Sequence, residues 1–363
     1  MRICFLAHAD SIHTRRWVRH FRDAGHHVTV LSFTAAEAED GVTTHVLGIH
    51  RSVHQERTNW HYLAGLPRLA SEVRRARPDL VNAHFLASYG ILGAVVRPRG
   101  VPYVISLHGS DVLVIPRSAV WKARAARWAL RRADLVTSVA EHLTAVVRDE
   151  LEYPGPVHTR QYGVDTAAFR PPGDAVARAP VVVSTRRLEP VSDPRTLIEA
   201  ARIWRSQGLP LALRVVGDGG LRAAMEDEAA DLTDSGVVRF VGARSADEVA
   251  GELRSAAIYV STTLSDGASI SLLEAMACGS FPVVSDIPAN REWIRPGENG
   301  LLFPVGSAVD LAEQVGSAWN RPQLREHAAE ENRRLVEERG DLHRNLGEIE
   351  RRFVGLAGNN PPA

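Results

Sequence analysis

The sequence has 363 residues, 43 basic and 43 acidic side chains, a formal net charge of zero and a hydrophobic content of 45%. It is too long for one ordinary core and too apolar for gross disorder, so two α/β-sized domains are expected. Its two cysteines, Cys4 and Cys278, exclude a disulfide framework or a cysteine-rich zinc site and fit a reducing cytoplasm.

Met1-Arg2 leads straight into strand-length Ile3-Cys4-Phe5-Leu6 with no long apolar run behind it, so no secretory leader is expected. Short β-branched runs predict strands over 2–7, 27–32, 44–48, 80–83, 103–106, 135–138 and 157–161. Helical patterns over 14–24, 59–76 and 121–132 lie between them. The longest apolar runs, such as Ile91 to Val96, fall short of a membrane span. A turn-rich stretch containing Pro171-Pro172-Gly173-Asp174 follows, and then the pattern restarts. Strands are predicted over 181–184, 212–216, 238–241, 258–261, 281–284 and 301–303, with a helix over 197–207. Strands alternating with helices imply parallel sheets covered on both faces. Two such sets predict two doubly wound, Rossmann-like domains, 1–165 and 166–340, facing a central cleft. A last helix, about 341–357, is expected to pack back on the first domain. In such sheets ligands bind at the carboxyl ends of the strands, so function is expected in the loops that follow strands.

Charge is unevenly spread. Residues 1–165 hold 21 basic and 15 acidic side chains, and the remainder holds 22 and 28. A basic first half suits an anionic partner: a phospholipid headgroup, a lipid-linked phosphate or a nucleic acid. In 121–132, Arg124, Arg127 and Arg131 share one helical face flanked by Trp121 and Trp128. Such a stripe suits an anionic membrane surface, and equally an ordinary solvated helix with its tryptophans in the core. His50 and His54 have i, i+4 spacing but no third ligand, which argues against a metal site. Gly217-Asp218-Gly219-Gly220 lacks a full dinucleotide fingerprint and does not open the first βαβ unit, so no nicotinamide cofactor is expected.

The richest segment runs from Ser265 to Gly279: Ser-Asp-Gly-Ala-Ser-Ile-Ser-Leu-Leu-Glu-Ala-Met-Ala-Cys-Gly. It follows an apolar strand, turns on Asp266-Gly267 and enters a helix for which Ser269 is the expected cap. The free amides of a helix start suit a diphosphate, and Glu274, one turn in, can accept hydrogen bonds from ribose hydroxyls. An N-capped core helix with an incidental glutamate reads equally well from this segment alone.

Asp266-x7-Glu274 followed by Ala-Met-Ala-Cys-Gly and Pro282-Val283-Val284 resembles the signature of the family 4 retaining glycosyltransferases, whose fold is GT-B. Further segments resemble that family in order: Gly25-His26-His27-Val28, Asp79-Leu80-Val81-x-x-His84, His108-Gly109-Ser110-Asp111, Tyr162-Gly163-Val164-Asp165 with Phe169-Arg170-Pro171, Arg187-Leu188-Glu189-Pro190, and Gly217-Asp218-Gly219. The resemblance implies a GT-B protein that transfers a sugar from a UDP- or GDP-linked donor to a hydroxyl acceptor with retention, in cell-surface polysaccharide or glycolipid synthesis. It implies no metal and no cofactor. Arg187 would bind the diphosphate. The amides near Ser269, Ile270 and Ser271 would cradle the distal phosphate, and Gly217 would line the donor site. Glu274 would hold the ribose, Asp266 would contact the donor sugar, and His108 would approach that sugar across the cleft. His108, Arg187 and Asp266 would thus carry the catalysis. Asp111 reads as a cap or turn residue rather than a base.

The departures count as well. Ser192 stands where most of the family has a diphosphate-binding lysine, and the chain's one lysine is Lys122. Arg186 or Arg195 would have to supply that charge, or Ser192 would hydrogen-bond a phosphate. Asp10-Ser11-Ile12-His13-Thr14 replaces the usual glycine-rich first loop. The pattern points to a subfamily with its own chemistry, and leaves two other readings open: a non-catalytic sugar-nucleotide-binding partner and a nucleotide-sugar epimerase. The expected partners are the nucleotide-sugar, a hydroxyl acceptor that is small or lipid-linked, and an anionic membrane surface on the cytoplasmic side; no nucleic acid is expected.

Overall fold

The computed structural model describes residues 1–35, 37, 39–48, 64–173 and 178–358. The chain divides into two compact units, Met1–Gln161 with His343–Ala363, and Tyr162–Leu342.

The first unit is built on seven parallel strands: β1 (Arg2–Leu6), β2 (His27–Ser32), β3 (Val42–Val46), β4 (Leu80–His84), β5 (Tyr103–Leu107), β6 (Leu135–Ser138) and β7 (Val157–Thr159). Their order is β3-β2-β1-β4-β5-β6-β7, which reverses direction between β1 and β4. β4, β5 and β6 are buried along their whole length, so they read as runs rather than as alternations. Its first helices are α1 (Ile12–Asp23), α2 (Leu66–Ala76), α3 (Ile91–Val96), α4 (Ser110–Leu113), α5 (Val120–Leu130) and α6 (Glu141–Asp149), and a π-helical turn covers Phe85–Gly90. α1 buries Thr14, Trp17, Val18 and Phe21, the i, i+3, i+4, i+7 face of an amphipathic helix.

The second unit holds six parallel strands: β8 (Ala179–Ser184), β9 (Ala212–Val216), β10 (Val238–Gly242), β11 (Ala256–Ser261), β12 (Phe281–Ser285) and β13 (Leu301–Phe303), in the order β10-β9-β8-β11-β12-β13. Its reversal lies between β8 and β11. The helices are α7 (Pro194–Ser206), α8 (Arg222–Glu228), α9 (Ala230–Asp234), α10 (Ala246–Ser255), α11 (Ile270–Cys278), α12 (Pro288–Arg291), α13 (Ala308–Trp319) and α14 (Pro322–Arg339). They cover both sheet faces. One core gathers Trp204, Phe281 and Phe303, and the other Tyr259, Leu272 and Met276.

The last helix, α15 (Leu342–Gly358), belongs from His343 onward to the first unit. Phe353 stacks on Phe21 at 5.5 Å between ring centroids, and Glu350 meets His20 at 2.9 Å and His26 at 3.0 Å. Emptying that aromatic contact by Phe353→Ala would cost about 3–5 kcal/mol.

Each unit is thus a doubly wound parallel sheet, and the fold class is GT-B. Most strands differ from the sequence expectation by a residue or two at their ends; β3 starts and ends two residues early, at Val42 and Val46. α1 begins at Ile12 rather than 14, and α7 at Pro194 rather than 197, because a proline at the first helical turn has no amide to leave unsatisfied. Residues 59–63 of the predicted helix 59–76, and His50 and His54, lie outside the described residues. No described helix is long and apolar enough to cross a membrane.

Candidate functional site

In the second unit the reversal of strand order brings two loops together at the carboxyl ends of β8 and β11. The loops are tied by backbone: Leu264 N donates to Val191 O at 2.9 Å, and Thr262 Oγ1 donates to Ser192 O at 2.7 Å. Ser192 is therefore buried within this junction.

The loop after β8 is clamped on its other side by the turn after β9. Leu188 N donates to Asp218 O, and Leu221 N to Leu188 O. Gly217 sits at φ +144°, and a Cβ there would stand 2.5 Å from Arg186 O. The glycine is required because backbone meets backbone at this point.

This loop carries two arginines with different surroundings. Arg186 points to the loop after β11: its Nη1 lies 2.9 Å from Asp266 Oδ2 and 3.1 Å from Ser271 Oγ. Ser271 Oγ also accepts from Tyr259 OH at 2.9 Å. Burial works against the Arg186 charge, but Asp266, Tyr259 and Glu274 outweigh it and raise its pKa. Arg187 is turned outward; its side chain is 56% exposed and lies 3.3 Å from Glu189. Arg195, at the start of α7, is taken up by Glu228 at 3.1 Å.

The loop after β11 folds through Asp266, whose Oδ1 accepts from Ala268 N at 3.2 Å, and enters α11. Ser269 does not cap this helix. Its hydroxyl donates to Asn290 Oδ1 at 2.6 Å and makes no cap bond to the α11 amides. Ile270 N turns back to Ala268 O at 2.8 Å, so of the expected cradle it is the amide engaged in a turn. Glu274, one turn further, stays partly exposed on a helix otherwise buried from Ser271 to Cys278. Thus Asp266, Ser269, Ser271 and Glu274 share one neighbourhood with Arg186. The sequence offered a signal for Tyr259, since a phenol in a buried apolar strand must find a partner. It offered none for Asn290.

His108 belongs to the first unit, at the end of β5. Its ring stacks on Phe85 at 4.4 Å and lies 4.9 Å from His84. Phe85 itself sits at φ +68°, a conformation that a bulky residue adopts only where its surroundings impose it. Burial, followed by the charges of His84, His13 and His8, pushes the His108 pKa well below 6.5, so the ring is neutral near pH 7. Asp111 holds the two loops here: Oδ1 accepts from His108 N and Gly109 N at 3.2 and 2.7 Å, and Oδ2 accepts from Leu86 N at 2.8 Å. It is a buried staple of backbone amides.

On α5, Trp121 and Trp128 point outward, 56% and 39% exposed, so they are not core residues. The buried face is made by Ala126, Ala129 and Leu130 instead. Arg124, Arg131 and Arg132 are exposed along the same stretch. No group of three His, Cys, Asp or Glu side chains that could hold a metal ion occurs among the described residues.

Residues 2–140 match the family described as glycosyl transferase 4-like, and residues 165–335 match glycosyl transferases group 1. Among curated relatives, an uncharacterized glycosyltransferase of Methanocaldococcus jannaschii is 23% identical over 88% of this chain and 87% of its own. The D-inositol 3-phosphate glycosyltransferase of Frankia alni is 27% identical over 82% and 80%. Among solved structures, sucrose-phosphate synthase of Thermosynechococcus elongatus superposes with a TM-score of 0.83 over 98% of this chain and 99% of its own, at 17% identity. Anabaena HepE, solved with UDP and glucose, gives 0.76 over 98% and 100%, at 19% identity. These two likenesses bear on the fold alone.

Proposed function

We propose that this chain is a glycosyltransferase of the group 1 type, which transfers a sugar from a UDP- or GDP-linked donor to a hydroxyl acceptor with retention of configuration. The observation that carries the reading is the meeting of Arg186, Asp266 and Ser271 at the first turn of α11, with Glu274 one turn in. Donor cleavage leaves a diphosphate whose growing negative charge must be stabilised. Guanidinium groups and fixed amides do this electrostatically and need no metal. We assign Arg187, at the solvent side of the same loop, as a second cation. Glu274 is assigned to the ribose hydroxyls and Asp266 to those of the sugar. No carboxylate nucleophile emerges, so we assign the deprotonation of the acceptor to the departing phosphate.

For the acceptor we propose a lipid-linked or surface-polysaccharide intermediate reached from an anionic membrane surface. The outward Trp121 and Trp128 beside exposed arginines support it, since tryptophan seats at the headgroup level while arginine meets phosphate. Ser192, in place of a lysine, favours a second reading, a sugar-nucleotide-binding partner without catalysis.

Incubating the protein with UDP- and GDP-sugars, with and without lipid-linked and soluble hydroxyl acceptors, separates these. The transferase releases free nucleoside diphosphate only when acceptor is present, and Glu274→Ala abolishes the release. Donor binding without release under any acceptor selects the non-catalytic reading, and a changed donor sugar without acceptor selects an epimerase.

A further inference from the structure

We infer that Arg186 and Asp266 form an exchangeable ion pair: the donor's diphosphate displaces Asp266 from Arg186, and the freed carboxylate then engages the donor sugar. The inference rests on the donor-site reading above and adds to it a coupling between the two halves of the donor.

The pair is neither an open surface contact nor sealed in the core. Arg186 and Asp266 side chains are 21% and 17% exposed, so water is largely excluded yet a ligand can reach both. An exposed pair would be too weak to order the site, and a sealed one would not exchange. The guanidinium also lies 3.1 Å from Ser271 Oγ, on the first turn of α11. Peptide dipoles make that end of a helix positive, which disfavours a cation as a purely structural neighbour. What both positive groups share is affinity for an anion, and Asp266 supplies one negative charge where a diphosphate supplies more.

Each partner is held independently of the other. The Arg186 backbone is fixed by its approach to Gly217 and by the Leu188–Asp218 hydrogen bond, and its guanidinium still donates to Ser271 Oγ when the counter-ion leaves. Asp266 keeps the Ala268 amide on its other oxygen, 3.2 Å away, so it too remains in position. A carboxylate relieved of its guanidinium has vacant lone pairs for hydroxyl donors. The sugar's binding group is thereby presented only after the phosphate has arrived.

Calorimetric titration of UDP and GDP, and of their glucose and mannose conjugates, into the full-length protein tests this. Arg186→Gln is expected to weaken nucleoside diphosphate binding at least tenfold. Asp266→Asn is expected to tighten it several-fold, because no charge need be displaced, while erasing the difference between nucleotide and nucleotide-sugar. Arg202→Gln, remote in its pairing with Asp231, is expected to change neither. Should Arg186→Gln unfold, Arg186→Lys serves, with an intermediate loss expected because the charge stays but the planar fork is gone. Weakened diphosphate binding in a folded Asp266→Asn overturns the exchange and leaves the donor site standing, whereas wild-type affinity in Arg186→Gln overturns the exchange and takes the diphosphate off Arg186 as well. A wild-type protein that binds neither nucleotide overturns the donor-site reading itself, and the exchange with it.

Discussion

Gly217→Ala gives the most direct structural handle on the loop after β8. At φ +144° an alanine is strained by about 1–3 kcal/mol. Its Cβ would also stand 2.5 Å from Arg186 O and 3.2 Å from Arg186 C, both backbone atoms that cannot swing away. The loop after β8 must therefore shift by more than half an ångström, about the tolerance of a preorganised site. Gly208→Ala is the matched control, with φ +74° and nothing within 4 Å of the added methyl. The control carries conformational strain alone, about 1 kcal/mol. The clash should bring Gly217→Ala to about 2–4 kcal/mol, or roughly 4–16 °C in Tm for a unit of this size. Thermal unfolding and UDP or GDP titration well below Tm read the two effects. Both variants should lose stability, Gly217→Ala more, and only Gly217→Ala should lose nucleotide affinity. Equal Tm and equal affinity in the two variants would refute the claim that this glycine sets the position of Arg186.

Burial pushes the His84 pKa down to about 3, so the unfolded chain takes up a proton below pH 6.5 that the folded unit refuses. Stability is then full above pH 6.5, falls by up to about 1.4 kcal/mol per pH unit below it, and levels off near pH 3. His84→Gln should flatten the Tm profile between pH 6.5 and 4.5, and a profile parallel to wild type would reject this source. Asp111→Ala strips three buried amides of their acceptor, at about 1–3 kcal/mol each, so a fall in Tm several times that of Asp111→Asn is expected; equal losses would mean the staple is unimportant. The double variant Trp121→Ala/Trp128→Ala should sediment at least tenfold less with phosphatidylglycerol vesicles, a loss of about 1.4 kcal/mol. Unchanged sedimentation would remove the membrane from the account.

The strands were legible because parallel strands buried on both faces become near-continuous apolar runs, as in Ala256–Ser261 and Phe281–Ser285. The loops after β8 and β11 followed from the strand ends, whereas Asp266 and Glu274 stood out through the acid-x7-acid resemblance, since Asp266 lies in the loop before α11 and off the helix. The choice between neighbouring arginines was not legible. Arg186 and Arg187 are adjacent and chemically identical, and only the clamp of the loop between Gly217 and the β11 loop turns one inward. The expected cap at Ser269 failed for a similar reason: its hydroxyl is taken by Asn290, 21 residues away, through a contact that local patterning does not encode. The tryptophans of α5 were ambiguous because alanines can form a buried face as readily as large residues, and here Ala126 and Ala129 do.

Difference density from a crystal grown with UDP or GDP tests the central claim most directly. The account predicts the diphosphate at the first turn of α11 against Arg186, with the ribose hydroxyls on Glu274. A nucleotide seated elsewhere, with the Arg186–Asp266 contact and Glu274 untouched, would contradict it.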